Sequence, residues 1–229
     1  LLKKDRRGWE SHMFDLGLVI AFAGIVGGRL WDVFFFDWEY YHNHLLEIPY
    51  IWQGGMAIQG GIIFACIAAY FYLKKHQIPV LPFADTVTPG IILGQAIGRI
   101  ANFMNGDAFG HPTGQDFGLL YPDTTLAYHT YGAQPLWPAE VWECQGDLLI
   151  FVLLLWYGCK TRAEGTTFCL YIMFYSLLRF FLENYRGDYG TLALGLKSAQ
   201  LTSLAAFAGA FILFLYFHFK HKSKSGISE

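Results

Sequence analysis

The 229-residue chain is 54% hydrophobic and 18% aromatic, with only 15% charged residues and a formal net charge of −2. Water-soluble domains carry about 25% charged residues, so this composition, with a mean hydropathy of +0.33, excludes a soluble fold and indicates an integral membrane protein. The near-neutral balance gives no footing for a nucleic-acid partner.

A membrane-crossing helix takes about 20 mostly apolar residues. Six stretches have that character, at 13–36, 54–73, 83–105, 146–160, 166–185 and 198–219, the fourth with room to begin nearer Trp137. The expected fold class is therefore all-α, a polytopic helical bundle forming one transmembrane domain over 1–229. The opening "LLKKDRRGWESH" has neither an initiating Met nor a cleavable signal pattern, and the true N-terminus is expected upstream.

Lysines and arginines orient the spans, because cytoplasmic loops are enriched in them. Lys3, Lys4, Arg6 and Arg7 precede the first span, Lys74 and Lys75 follow the second, Lys160 and Arg162 the fourth, and Lys220, Lys222 and Lys224 the sixth. With six spans all of these share one side, the cytoplasmic one, and 220–229 becomes a disordered cytoplasmic tail. On the other side "FDWEYYHNHLLEIPYIWQ" and the long segment after Asn105 hold no Lys or Arg. The second of these, 106–140, is too long for a simple connection and is expected to form a small outward-facing cap.

Cys66, Cys144, Cys159 and Cys169 show no CxxC spacing and read as small apolar packers. His42 and His44 have no further ligands at suitable spacing, so no metal and no cofactor is implied.

Three arginines, Arg29, Arg99 and Arg179, fall inside or at the outer ends of the expected spans. Each costs about 2.5–3.5 kcal/mol at mid-bilayer on insertion scales, so something must offset it. For Arg29, snorkelling to the headgroups is one answer. Beside Arg99 a row of Gly90, Gly94 and Gly98, continued by Asn102, makes a smooth strip that a helix or lipid could approach, with Gln95 on the adjacent row. Tyr171, Tyr175, Arg179 and Glu183 fall on one i,i+4 stripe, with Arg186 a turn further on. The bland reading of that stripe is a structural Arg179–Glu183 pair. Glu140, Glu143 and Asp147 share a third helical face, where solvated carboxylates near a helix start are the ordinary expectation.

Together these motifs resemble the bacterial phosphatidylglycerol–prolipoprotein diacylglyceryl transferases. That family's signature, Gly-Arg-x-x-Asn-Phe-x-Asn-Gly-Glu-x-x-Gly, is matched by "GRIANFMNGDAFG", Gly98–Gly110, with Asp107 at the acidic position. Its "GARL" is similar to "GGRL" here, its "GG…HGG" to "GGMAIQGG", and its Tyr-x-x-x-Arg-x-x-x-Glu-x-x-Arg helix to Tyr175, Arg179, Glu183 and Arg186. Three positions differ: Gln59 stands where many members have His, "WPAEVWEC" replaces "HPSQLYEA" apart from Pro138 and Glu143, and His111 follows the signature in place of Arg. The family fold has seven spans, which places one ahead of the first seen here.

The resemblance implies a transferase of the bacterial inner membrane with its active site toward the outer face. It would move the diacylglyceryl group of phosphatidylglycerol to the lipobox cysteine behind a prolipoprotein signal peptide, leaving a thioether and releasing glycerol phosphate. It assigns Arg179, Glu183, Tyr175 and Glu143 to catalysis, and Arg99, Asn102, Asn105, Asp107, Gly110 and Gln59 to holding phosphatidylglycerol. The proton acceptor stays open among His111, Glu143 and Asp107. Two other classes compete with this one: a transporter, for which no repeat is visible, and a non-catalytic phospholipid-binding paralogue.

Overall fold

A computed structural model describes residues 8–159, 163–187 and 195–225, with side chains placed as far as 220. Of the residues used for topology, Lys3, Lys4, Arg6, Arg7, Lys160 and Arg162 lie outside the described residues, as do the side chains of Lys222 and Lys224 and the end of the tail.

All six apolar stretches are helical. They form α1 (Met13–Trp31), α2 (Ile58–Lys75), α3 (Val80–Asn105), α4 (Ala139–Gly158), α5 (Thr166–Leu182) and α6 (Ser198–Ser225). Among the described residues the extended segments meet only in isolated bridges. Three stretches, Trp9–Phe36, Val80–Asn105 and Ser198–Lys220, are long and apolar enough to cross a membrane on length and composition alone, and α5 is apolar but shorter. Phe14, Phe22, Ile58 and Ile212 are each about two-thirds exposed or more. Large apolar side chains left open over several helices suit hydrocarbon rather than water, and the protein is a helical membrane protein.

The chain forms two compact units, Leu1–Phe83 and Ala84–Glu229. In the first, α1 and α2 cross with their backbones nearly touching. A Cβ on Gly27 would meet the Phe64 side chain and the Gly60 carbonyl, and one on Gly60 would meet the Gly27 carbonyl and Trp31. Small residues at such a crossing let the two helices gain dispersion contacts that water cannot supply in a bilayer.

Arg29 closes the C-terminal end of α1, and it does not snorkel. Its side chain is buried, and it donates to four carbonyls: Nε to Ile48 at 2.7 Å, Nη1 to Gly54 at 2.7 Å and Gly55 at 3.0 Å, and Nη2 to Glu47 at 3.1 Å. Tyr41 covers the guanidinium at 4.9 Å, and Asp32 stands 3.9 Å from Nη1. Hydrogen bonds and a ring face thus replace its hydration, which is the offset that burial demands. Gly55 sits at φ +74°, where a Cβ would fall 2.5 Å from the guanidinium, so glycine is required there. In the same loop the Tyr40 hydroxyl donates to Glu47 at 2.7 Å, a bond that holds the phenol above its ordinary pKa.

In the second unit Ile92 of α3 packs with Ile150 and Leu154 of α4, and Phe174 and Leu178 of α5 close over them. At the N-terminal end of α5, the residue before the helix is Gly165, which has no side chain to cap it. Asp85 of α3 supplies the cap instead, accepting from the N–H groups of Gly165 at 2.6 Å and Phe168 at 2.8 Å. Its charge also faces the positive end of the helix dipole. Gln200 of α6 donates to Phe180 O and Asn184 Oδ1, which joins α6 to the end of α5.

Between α3 and α4 the chain builds a small core of Phe109, Ala127 and Leu136, edged by Tyr121 and Tyr131. The Gly90–Gly94–Gly98 row is open: a Cβ at any of the three would meet nothing within 4 Å among the described residues. The close helix crossing lies at Gly27 and Gly60 instead.

This contrast sets a test. Gly60→Ala forces atoms into an occupied space, an overpacking that costs about 1–3 kcal/mol, and is expected to lower the thermal midpoint in detergent. Gly90→Ala adds a methyl to open space and removes a poor helix former, so its midpoint is expected to stay level or rise.

Candidate active site

The centre of the second unit is a carboxylate. Glu143 lies in the second turn of α4, which begins at Ala139 directly after Trp137–Pro138, where proline ends the preceding extended segment. Only 1% of its side chain is exposed, and it draws in three guanidinium groups. Arg99 Nη2 of α3 donates to Oε1 at 2.7 Å, Arg179 Nη1 of α5 donates to Oε2 at 3.3 Å, and Arg186 Nη1 stands 3.8 Å from Oε2. The Tyr175 hydroxyl, one turn before Arg179, donates to Oε1 at 3.3 Å. A turn deeper, Tyr171 donates to Gln95 at 2.8 Å.

Glu183 anchors the other side. Arg179 Nη2 lies 2.9 Å from its Oε2, so the structural pair expected from the i,i+4 spacing is present. It is one link of a larger network, because the same guanidinium also reaches Glu143. Lys197 Nζ stands 4.0 Å from Glu183 Oε1 and donates to the carbonyls of Glu183 at 2.9 Å and Arg186 at 2.6 Å. A cation on these last carbonyls caps the C-terminal end of α5.

Arg186 departs from the sequence expectation. The stripe placed it one further helical turn along, but α5 ends at Leu182 and residues 183–185 form a turn. Arg186 instead pairs with Gly110 across an antiparallel bridge, with His111 N–H donating to Tyr185 O at 2.9 Å and Gly187 N–H to Phe109 O at 3.2 Å. Gly110 allows that approach, since a Cβ there would run into the backbone of Trp137. Trp137 N–H donates to His111 O at 3.0 Å, so one short segment joins the start of α4 to the end of α5.

The acidic face of α4 also differs from expectation. Glu140, Glu143 and Asp147 are not solvated; each is at most 1% exposed. Glu143 has its cations, whereas no oxygen of Glu140 or Asp147 has a hydrogen-bond partner among the described residues.

The structure therefore gathers Arg99, Glu143, Tyr175, Arg179 and Glu183 into one connected set. Asn102 joins it by accepting from Arg99 Nη1 at 3.2 Å. Asn105 is exposed at the last position of α3, and Asp107, half-buried just beyond, donates its N–H to Asn102 O at 2.9 Å. Gln59 belongs to the first unit, exposed at the start of α2. Sequence reasoning passed over Lys197 and Asp85. A lone Lys after a turn and a lone Asp near a helix start carry no local mark of their distant partners. Among the described residues no group of three or more His, Cys, Asp and Glu could hold a metal ion.

The profile of the prolipoprotein diacylglyceryl transferase family matches residues 2–216 of this chain. The chain belongs to that family. It is 38% identical to the phosphatidylglycerol–prolipoprotein diacylglyceryl transferase of Geobacillus kaustophilus over 202 residues, 87% of this chain and 74% of the relative. It is 36% identical to the enzyme of the same name from Staphylococcus saprophyticus over 85% of this chain and 70% of the relative. With the one from Clostridioides difficile the figure is 35%, over 96% of this chain and 83% of the relative. Within this transferase family, then, the described fold presents a buried carboxylate bearing three arginines beside the family's long glycine–arginine signature.

Glu143→Ala leaves Arg99, Arg179 and Arg186 without their shared anion. Breaking a buried ion pair by removing one partner costs about 3–5 kcal/mol, so the variant is expected to unfold markedly earlier in detergent than Glu143→Gln, which keeps two polar atoms in place. Thermal unfolding followed by intrinsic fluorescence checks the order.

Proposed function

We propose that the ion-paired centre of the second unit is where a diacylglyceryl group passes from phosphatidylglycerol to the lipobox cysteine of a prolipoprotein, at the outer face of the bacterial cytoplasmic membrane. The observation that carries this reading is the setting of Arg99. Glu143 and Asn102 hold its Nη2 and Nη1, yet its side chain is 20% exposed, against 15% for Arg179 and 5% for Arg186. A guanidinium held at both Nη atoms yet still partly exposed has N–H donors left for a phosphodiester, whose oxygens they match.

The reaction is a displacement at carbon. The cysteine thiolate attacks the glyceryl carbon that bears the phosphate, the carbon–sulfur bond forms as the carbon–oxygen bond breaks, and the electron pair leaves on a phosphate oxygen of glycerol phosphate. Arg99 holds the phosphate in the ground state. Arg179 meets the charge that grows on the departing oxygen, and Tyr175 and Glu183 fix the guanidinium for that task. Glu143 positions both arginines. Asn102, Asn105 and Asp107 line the end of α3 where the headgroup glycerol would sit. Gly110 acts indirectly, by allowing the bridge that brings Arg186 in. The transporter and non-catalytic readings draw no support from this arrangement.

The test is a transfer assay in vesicles of phosphatidylglycerol with a lipobox peptide, read by mass spectrometry for a diacylglyceryl addition on cysteine. The unaltered chain is expected to give the adduct. Arg99→Ala and Arg179→Ala are each expected to lose it by about 100-fold or more, the scale of losing one preorganised charge stabiliser, when assayed well below their own thermal midpoints, which loss of a partner to buried Glu143 lowers. Arg99→Lys, a point charge without the planar fork, is expected to recover little. Full transfer by either alanine variant would overturn the assignment of that arginine.

A further inference from the structure

The transfer needs a thiolate, and a free cysteine of pKa about 8.5 supplies only a few per cent of it at neutral pH. Most acids in the centre are engaged. Glu143 carries three guanidinium groups and a tyrosine hydroxyl, and Glu183 pairs with Arg179 and stands near Lys197. Gln59 has no titratable proton site. Of the other acids Asp107 is only half-buried, whereas Glu140 and Asp147 are each fully buried with both oxygens lacking a hydrogen-bond partner among the described residues.

Their positions separate them. Glu140 occupies the first turn of α4, directly behind the segment that pairs with His111, and its charged neighbours are Arg186, Arg99 and Glu143. Asp147 lies seven residues further along the same helix, about 10 Å deeper at 1.5 Å per residue, where its charged neighbours are Glu143 and Arg99. In the proposed orientation an exported cysteine arrives from the cap side, so Glu140 is the one it meets. Glu140 has no side-chain hydrogen bond or ion pair to break among the described residues, whereas a carboxylate that already accepts such bonds would have to give one up to take a proton.

We propose that Glu140 is the general base that takes the proton of the lipobox thiol. This rests on the transferase reading above. In the step, the S–H proton moves to a Glu140 oxygen, the sulfur pair forms the bond to the glyceryl carbon, and the carbon–oxygen pair departs with glycerol phosphate. Glu140 then returns the proton to solvent. Arg99 and Arg186 flank both the carboxylate and the sulfur, so the negative charge passes from one to the other without leaving the cationic surround.

The experiment compares the unaltered chain, Glu140→Gln and His111→Asn in phosphatidylglycerol vesicles, with two peptides that differ only in carrying cysteine or selenocysteine. His111 is the rival, because its Nδ1 is bonded to Pro112 O at 2.9 Å and its other nitrogen could accept a proton. A general base contributes about 100-fold to 10,000-fold. Glu140→Gln is therefore expected to lose at least about 100-fold on the thiol peptide near pH 7. The deficit should shrink about tenfold per pH unit as the thiol ionises unaided toward its pKa of about 8.5, and largely vanish with the selenol, which is ionised at neutral pH.

An equal loss at every pH and with both peptides would mark Glu140 as structural only and overturn the proposal. So would no loss, or a pH-dependent loss confined to His111→Asn. Should Glu140→Gln fail to fold, Glu140→Asp keeps the carboxylate but draws it back by one methylene. It is expected to slow the thiol reaction more than the selenol reaction, and equal slowing overturns the proposal as well. A failure of the transferase reading is a different result: no adduct from the unaltered chain with either peptide.

Discussion

One carboxylate in an apolar surround sets the terms for the second unit. Glu143 would be too costly to bury alone, and so would Arg99, Arg179 or Arg186. Together, at 2.7, 3.3 and 3.8 Å, they replace the water each has lost. The three arginines come from α3, α5 and the turn beyond α5, so satisfying one anion on α4 fixes the neighbouring ends of three helices at once. The apolar layer of Ile92, Ile150 and Leu154 beneath it holds the helices together without direction, since packing between apolar surfaces has little angular preference. Direction is supplied by the charges.

The second level of organisation keeps those charges from collapsing onto one another. Arg179 divides its two nitrogens between Glu143 and Glu183, and Lys197 stands on the far side of Glu183 while holding the carbonyls that end α5. The bridge between Gly110 and Arg186 brings the last arginine in from outside the helix. Each cation therefore has a structural partner, and Arg99 is the most exposed of the three arginines. The chain that carries them belongs to a family whose relatives are named for phosphatidylglycerol.

Much of this was legible in the sequence, and the parts that were not share a physical cause. The six helices follow from apolar runs, a local property that survives any packing, although three stretches alone are long and apolar enough to cross a membrane on length and composition. The Arg179–Glu183 pair follows from i,i+4 spacing in the same way, and Arg99 stood out because a charge inside an apolar run demands an explanation. What escaped was long-range or lay in the backbone. The cap that Asp85 gives Gly165 joins residues 80 positions apart. The acceptors of Arg29 are carbonyls, which every residue has and no sequence marks, so the same arginine was equally open to a snorkelling reading. Glu140 and Asp147 looked solvated because their burial depends on which helices cover α4, not on the pattern of α4 itself. Arg186 was placed on a helix that had already ended, since Lys197 and the bridge to Gly110 act from outside it.

The cap on Gly165 has a consequence for how the centre meets a ligand. Asp85 ties the N-terminal part of α3 to the start of α5, and Arg99 ties the C-terminal part of α3 to α4. A rod pinned near both ends resists rolling about its own axis, so the bearing of the Arg99 fork is set during folding. Ordering a long flexible side chain on association commonly costs about 0.5–1.5 kcal/mol. Here that loss of freedom has already been incurred by the folded chain, and an arriving anion meets a receptor whose aim does not have to be found.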